Sequence, residues 1–306
     1  MSISAFAGPV VSFGEVPSST TVSAGRNPDA GPSQFYQGVA MMDPRSPYIY
    51  SPGGSMGQKM YGWLMGECFA LDVAPTAAAT ANIAALQVPV AATAMTLVSV
   101  TGAGVTVGQS IVNASTGATV TGLLVLDGAP TYTAFGTSGA NNIWDPTSLC
   151  ARTVSVTSSG GVETSATFTV KGYDIYNYPM TETITGPGSG LTVNGKKAFK
   201  YIASVTPGGT PSGSTVSIGT SSIFGFPMRV DRYGYTRMTW NDIRQAVAQF
   251  TAADTTSPAT ATTGDVRGTY TVTGSAANGT IRLIVTISIP PANMGTVAGV
   301  FGVTQV

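Results

Sequence analysis

The chain has 306 residues, of which 9% are charged and 43% hydrophobic, with 14 basic and 14 acidic side chains and no histidine. Soluble domains usually carry about a quarter charged residues, and disordered chains combine low hydrophobicity with high net charge. The composition excludes a disordered chain and a catalytic triad that needs histidine. The lack of a Lys/Arg cluster also predicts no specific nucleic-acid binding.

The first segment, residues 1–70, predicts an extended N-terminal arm. It is rich in Gly, Pro and Ser, and closely spaced prolines prevent a long helix or a central strand. A solvated linker has no use for many large apolar side chains, so we expect the arm to pack on its own domains or on a neighbouring subunit. The scarcity of charge favours the neighbour. The candidate interface residues are Phe35, Tyr36, Met41, Met42, Tyr48, Tyr50, Tyr61 and Trp63.

Residues 71–150 predict a nearly uncharged β domain rich in Ala, Thr, Val and Gly, with Asp72, Asp127 and Asp145 as its only charges. Asp127-Gly128 has the composition of a turn after a strand, and residues 76–86 suit a short helix or a coil. The predicted strands are 95–100, 105–107, 110–114 and 118–128. Cys68 and Cys150 are two thiols, too few for a disulfide framework, so we expect buried free thiols.

Residues 151–306 alternate apolar residues with Thr or Ser, as half-buried antiparallel strands do. Asn194-Gly195 and Asn278-Gly279 predict hairpin turns. Residues 240–250 fit either an amphipathic helix or a hairpin turned at Asn241-Asp242, and the neighbouring strands favour the hairpin. The fold class is therefore all-β: two small antiparallel sandwich-like or barrel-like domains, 71–150 and 151–306, preceded by the arm.

Three motifs imitate functional sites. Residues 53–57 (GGSMG) match a nucleophile elbow, but its serine has no histidine partner. Residues 190–197 (GLTVNGKK) match a phosphate-binding loop except that Lys197 replaces the Ser or Thr that holds magnesium, so a hairpin explains them better. Asp254 and Asp265 bracket a Thr-rich loop that offers oxygen ligands to calcium, although such sites usually take more carboxylates. We expect no cofactor.

Other polar and aromatic residues suggest surfaces. Tyr173, Tyr176 and Tyr178 predict packing at an interface or in a core, with a glycan site as the alternative. Lys196, Lys197 and Lys200 predict a solvated hairpin face. A further cluster contains both basic and acidic residues and suits ion pairs between subunits. It comprises Arg229, Asp231, Arg232, Arg237, Asp242 and Arg244.

Four segments resemble structural proteins of tailed bacteriophages and prophages. They are 173–185 (YDIYNYPMTETIT), 195–207 (GKKAFKYIASVTP), 255–270 (TTSPATATTGDVRGTY) and 300–305 (VFGVTQ). This resemblance covers roughly residues 140–306, carries no catalytic motif, and implies a virion component such as a capsid decoration or cement subunit, or part of the head-to-tail and tail apparatus.

The leading hypothesis is a non-enzymatic capsid decoration or cement protein in the virion, assembled in the cytoplasm of the host bacterium. Its expected partners are the major capsid protein and itself, as a dimer or trimer. The residues near the N-terminus lack a basic region before an apolar core, and no apolar run reaches the length of a membrane helix, so we expect neither export by the usual route nor a membrane partner.

Three alternatives remain open. A tail, tail-fibre or adhesin component would contact the host surface, and copy number per particle separates it from a head protein. A glycan-degrading enzyme would need paired carboxylates, for which the candidates are Asp231, Asp242, Glu163 and Glu182. A secreted bacterial surface adhesin fits the Thr- and Gly-rich strands but conflicts with the expected lack of a signal.

Overall fold

The computed structural model describes residues 67–128, 132–134, 142–144, 150–289 and 301–305. Within these residues the regular structure consists of strands and two short 3-10 turns, with no α-helix. Every strand pairing with a determined register is antiparallel. The structure therefore confirms the predicted all-β fold of antiparallel sheets.

The strands are numbered here in chain order. They are β1 (Glu67–Val73), β2 (Ala79–Gln87), β3 (Val105–Val112), β4 (Thr119–Leu126), β5 (Tyr132–Ala134), β6 (Asn142–Trp144), β7 (Arg152–Ser158), β8 (Ala166–Tyr173), β9 (Pro179–Thr185), β10 (Thr192–Phe199), β11 (Tyr201–Gly209), β12 (Val216–Gly225), β13 (Thr236–Trp240), β14 (Ile243–Arg244), β15 (Phe250–Thr251), β16 (Thr269–Thr271) and β17 (Leu283–Ile289).

Two larger sheets form a sandwich. The first has the order β9-β8-β11-β4-β3, and the second has the order β10-β7-β12-β16-β15. Strand β2 also pairs with β12, along the half of that edge that β16 leaves open. Strand β12 is therefore a central strand of its sheet, and eight of its ten residues are buried.

One apolar core lies between these two sheets. The first sheet contributes Phe168 and Val170, and the second contributes Val154, Val156 and Ile218, all of them fully buried. They are apolar positions of the alternating segments in residues 151–306, from which half-buried strands were predicted. Burial of a large apolar side chain stabilises a fold by about 1.5–3 kcal/mol, so these residues stabilise the packing of one sheet on the other.

A third sheet has the order β14-β13-β17-β1, and β5 pairs with β6 in a separate hairpin. The buried face of the third sheet includes Met238, Trp240 and Val285. The Trp240 ring lies 6.3 Å from that of Phe224 at the end of β12. Aromatic packing therefore joins this sheet to the second one.

Residues 69–287 and 297–306 belong to one compact unit. Strands on both sides of residue 150 share its sheets, because β2 pairs with β12 and β4 pairs with β11. The boundary in composition at residue 150 therefore falls inside the sandwich. A second unit comprises residues 1–68 and 288–296, and its described residues are the ends of β1 and β17.

Two of the predicted turns are confirmed. Asn241 and Asp242 both have positive φ and join β13 to β14, with Trp240 opposite Ile243. Positive φ at both positions is the geometry of a tight two-residue hairpin. Asp127-Gly128 likewise forms a turn directly after β4.

Two of the predicted hairpins are wrong. Residues 192–199 form one continuous strand, in which Asn194-Gly195 lies at an irregularity in the pairing with β7. The Gly195 Cα lies against the Glu182 carboxylate, where a Cβ would overlap it. At Asn278-Gly279 the chain bends, with Thr280 N and Ile281 N donating to Asn278 Oδ1. The strands on either side, β16 and β17, lie in different sheets and form no hairpin.

Two other segments also differ from the prediction. Residues 79–87 are a strand, not a helix or coil, because Ile83 and Ala84 pack in the core. Residues 95–100 are not a strand. In this segment Met95 N donates to Val205 O of the first sheet, and Val98 N donates to Ile83 O of the second. The segment thus bridges the two sheets instead of extending either.

Candidate functional site

Four loops meet at one end of the sandwich: residues 88–93, 159–165, 186–191 and 210–215. Backbone hydrogen bonds join them to each other and to the strand ends: Ser159 N donates to Thr215 O at 3.1 Å, Glu163 N to Pro187 O at 2.8 Å, Thr210 N to Ser165 O at 3.0 Å, and Ala92 N to Pro207 O at 2.8 Å. These bonds join loop 159–165 to loops 186–191 and 210–215, and loop 88–93 lies beside loop 210–215 because Gln87 at the end of β2 pairs with Val216 at the start of β12.

Four large apolar side chains are exposed on these loops. Val88 is 52% exposed, Val90 58%, Val162 58% and Leu191 61%. We call this surface the apolar end. The rest of the four loops consists mainly of Gly, Pro, Ala, Ser and Thr, which are small or uncharged.

Glu163 is the only ionisable residue in the four loops, and it is fully buried. Its carboxylate accepts hydrogen bonds from Ser212 N at 3.2 Å and from the Ser212 hydroxyl. At Gly186, an added Cβ would overlap the Glu163 backbone oxygen. The only carboxylate of the apolar end therefore does not face solvent. It is buried and holds the loop 210–215 in place through Ser212.

The apolar end is suited to contact with another protein. Burying a charged group without a partner costs several kcal/mol, whereas Val and Leu gain from burial. An exposed apolar patch bounded by uncharged polar residues is typical of an interaction site. The sequence did not single out these loops, because the exposure of Val162 and Leu191 depends on loop packing.

Some charged side chains lie inside the fold at places other than the apolar end. Arg152 is fully buried and pairs with Asp127 at 2.8 Å. Its guanidinium also donates to Ser221 O at 2.6 Å and to Thr76 O at 3.0 Å. This network ties β7, β12 and the segment before β2 together.

The prediction of a solvated lysine face is wrong for Lys197 and Lys200, because both side chains are fully buried. Lys200 lies where the chain passes from the second sheet to the first, and its Nζ donates to Leu126 O at 2.7 Å. Burial lowers the pKa of Lys200 to about 8. Lys196 is exposed and donates to Thr262 O at 3.3 Å.

The four carboxylates proposed for a glycan-degrading enzyme lie in separate places. Glu163 is at the apolar end, and Glu182 in β9 accepts from Lys196 N at 2.9 Å. Asp231 pairs with Arg229 at 2.7 Å, and Asp242 is in the β13–β14 turn. Burial raises the pKa of Glu182 to about 7.

The two candidate calcium ligands have backbone partners. Asp254 accepts from Thr256 N at 2.9 Å and from Gly264 N at 2.8 Å. Asp265 is buried and accepts from Ala198 N at 2.9 Å. Within the described ranges, no group of three or more Cys, Asp or Glu side chains is placed to hold a metal ion.

The three tyrosines of 173–178 have different environments. Tyr173 packs against a small cluster that includes Val125 and Tyr201. The Tyr176 hydroxyl donates to Pro227 O at 2.6 Å, and its ring lies 5.1 Å from that of Phe301. Tyr178 is exposed. Two of the three are thus packed, as the interface-or-core interpretation expects.

The remaining candidates are only partly covered by the structure. All eight arm residues (Phe35, Tyr36, Met41, Met42, Tyr48, Tyr50, Tyr61, Trp63) and the elbow-like 53–57 lie outside the described residues. Cys150 is a buried free thiol, as predicted. In the mixed charge cluster, Arg232, Arg237 and Arg244 are exposed, and Arg244 lies 5.7 Å over the Tyr233 ring.

Comparison of the chain with protein-family models, with curated proteins and with solved structures found no match. The resemblance to phage structural proteins therefore remains a prediction. In the part of the chain that the structure describes, no helix has the length and hydropathy needed to span a bilayer.

Proposed function

We propose that this chain is a non-enzymatic structural subunit of a virion, a capsid decoration or cement protein that binds the assembled major capsid protein. The observation that carries the proposal is the apolar end, where Val88, Val90, Val162 and Leu191 are exposed and the one carboxylate is buried. Covering such a surface with another protein lowers the free energy, because its apolar side chains leave water.

The chemistry of the described carboxylates also favours a structural role over catalysis. Glu163 and Glu182 each hold backbone N–H groups of a neighbouring loop or strand, which is the use of a carboxylate as a structural acceptor. The mechanism is additive: each subunit buries apolar surface on its neighbours. Because it binds only the assembled state, it stabilises that state by mass action.

Leu191→Glu tests the proposal directly. A carboxylate at the centre of a dry contact is costly to bury, so we expect attachment to capsids to fall by about tenfold or more. Val112→Glu is the matched control: Val112 is 55% exposed on β3, next to a turn that contacts Asn177 and not the apolar end. The measurement is the number of copies per purified virion, by quantitative gel or mass spectrometry.

The two possible results for Leu191→Glu lead to opposite conclusions about the apolar end. Loss of attachment for Leu191→Glu, with Val112→Glu attached normally, supports the proposal. Normal attachment of Leu191→Glu contradicts it.

Hundreds of copies per wild-type particle place the chain on the head, while about a dozen or fewer favour the alternative of a tail or tail-fibre component.

The arm is the second proposed contact. Deletion of residues 1–60 leaves the sandwich strands intact, so we expect the shortened chain to fold and to lose attachment, because the apolar arm residues no longer reach a neighbour. Circular dichroism checks the fold, and copy number per virion checks attachment. Full attachment of the folded, shortened chain would refute the role of the arm.

A further inference from the structure

A cleft of about 560 Å³ opens beside the turn between β8 and β9. This volume is in the range of small-molecule sites. Its walls come from four distant parts of the chain: Ser115 after β3, the turn residues 174–178, Arg267, and the segment 301–305. The cleft lies at the end of β8 opposite to the apolar end, so it is a different surface.

Two aromatic rings at the cleft are open to solvent. Tyr178 is 47% exposed and Phe301 is 54% exposed. Phe301 is supported from behind by the edge-on Tyr176 ring at 5.1 Å. Aromatic faces carry partial negative charge and attract C–H groups of slight positive charge, so these two rings offer stacking surfaces to a ligand.

The charged groups in the wall neutralise each other. Arg267 NH2 lies 2.9 Å from Asp174 Oδ2, and both side chains are buried. The Arg267 guanidinium also lies 5.2 Å over the Tyr176 ring. Among the described residues of its wall, the cleft thus has no uncompensated charge with which to select an anion or a cation.

Several polar atoms of the wall lack partners. Both amide atoms of Gln305 and Nε of Arg267 are buried without a hydrogen-bond partner among the described residues. Buried polar groups in proteins are nearly always hydrogen-bonded. The Gln305 amide supplies both a donor and an acceptor, and it regains both bonds if it turns toward a ligand in the cleft.

We propose that this cleft binds a neutral saccharide unit. A pyranose ring has a face of C–H groups for Tyr178 and Phe301, and an edge of hydroxyls that both donate and accept for Gln305 and Ser115. A peptide fits less well, because an added strand needs a free backbone edge, and the backbone at this turn is already bonded, with Ala114 N donating to Asn177 O at 2.9 Å and Asp174 N to Tyr178 O at 3.0 Å.

Saturation-transfer NMR on the full chain tests the inference. The probes are glucose, galactose, mannose, rhamnose and N-acetylglucosamine at millimolar concentration, with sialic acid and glucose 6-phosphate as charged comparisons and a Gly/Ser-rich peptide as the other ligand class. We expect transfer to at least one neutral sugar. Tyr178→Ala and Gln305→Ala should each weaken that signal about threefold to tenfold, because each removes one stacking or hydrogen-bonding group.

Val100→Ala is the control, since it truncates an exposed side chain that does not line the cleft and should leave the transfer unchanged. Melting temperatures of all variants separate loss of the site from loss of the fold. The inference is overturned if no neutral sugar receives saturation, if the charged sugars or the peptide bind better, or if a folded Tyr178→Ala variant binds as the wild type does.

Discussion

Glu182 shows how a buried carboxylate is held in this fold. It is 3% exposed, and its oxygens accept from the backbone N–H groups of Lys196 and Lys197. Desolvation is the larger effect and raises the pKa of Glu182 to about 7. The nearby Lys197 is also desolvated, which lowers its pKa, and its Nζ has no hydrogen-bond partner among the described residues.

The raised pKa of Glu182 predicts a pH-dependent stability. Between pH 4.5 and about 7 the folded state holds a proton that the unfolded state has lost, because the ordinary pKa is 4.5. This contribution is complete below pH 4.5 and is lost as pH rises through 7, with a fall in unfolding free energy of about 3 kcal/mol. Urea unfolding at several pH values measures it.

Glu182→Gln should remove that part of the pH dependence, because the amide does not titrate. Asp242→Asn is the control, an exposed carboxylate in the β13–β14 turn whose replacement should leave the slope of the wild type. Equal slopes for the wild type and Glu182→Gln between pH 4.5 and 7 would contradict the assignment.

At the scale of elements, alternation in the sequence predicted the strands well but predicted their connections poorly. Ala166, Phe168 and Val170 in β8 are buried as expected. Asn194-Gly195 has hairpin composition, yet it lies inside β10, because the glycine is required by the Glu182 carboxylate from β9. That requirement comes from a different strand, and local composition does not reveal it.

Gly195→Ala tests this explanation. Its Cβ would overlap the Glu182 carboxylate, so we expect a loss of unfolding free energy of about 1–3 kcal/mol, typical of overpacking. In a Glu182→Ala background the same change should cost clearly less, because the obstacle is gone. A double-mutant cycle from urea unfolding gives the coupling. Additive costs would show that Glu182 is not the reason for the glycine.

The β13–β14 turn is the hairpin that the sequence did predict, and it has a suboptimal residue. Asp242 has a φ of 64°, a left-handed conformation that Asp adopts more readily than most residues do, but that glycine adopts at almost no cost. We therefore expect Asp242→Gly to raise the unfolding free energy by about 0.5–1 kcal/mol. Ala248→Gly, an exposed position without positive φ, is the control and should stabilise nothing.

At the scale of the whole molecule, composition is a poor guide to the layers of this fold. Residues 71–150 differ from 151–306 in charge, which suggested a boundary near residue 150. In the structure, β2 and β4 pair with β12 and β11 across that boundary. Local composition does not show which distant strands pair with each other. The sequence therefore predicted the all-β class but not the arrangement of the sheets.

The position of the apolar end also could not be predicted from local composition. The scarcity of charge predicted surfaces that other protein covers, and the apolar end is such a surface in composition. Its location could not be predicted, because it depends on four loops brought together by Glu163, Ser212 and backbone hydrogen bonds. Burial of Lys197 and Lys200 was also missed, since a lysine near a turn is usually solvated.

The shared sheets lead to a prediction about fragments. Residues 151–306 alone lack β2 and β4, so the half of the β12 edge that β2 covers and the β4 edge of β11 would be unpaired. The core around Val154 and Ile218 would also lose Ile83 and Leu126. Exposed strand edges and an open apolar face are unfavourable in water. We expect the fragment 151–306 to show no dispersed amide spectrum by NMR.

Adding the fragment 67–150 should restore the fold, because it supplies the missing strands. The measurement is the appearance of dispersed amide signals and of a cooperative thermal transition when the two fragments are mixed or expressed together. The fragment 67–306 is the control and should fold alone, since it contains every described strand. Independent folding of 151–306 would instead mean that the boundary in composition is a true domain boundary and that the pairing of β2 with β12 contributes little to stability.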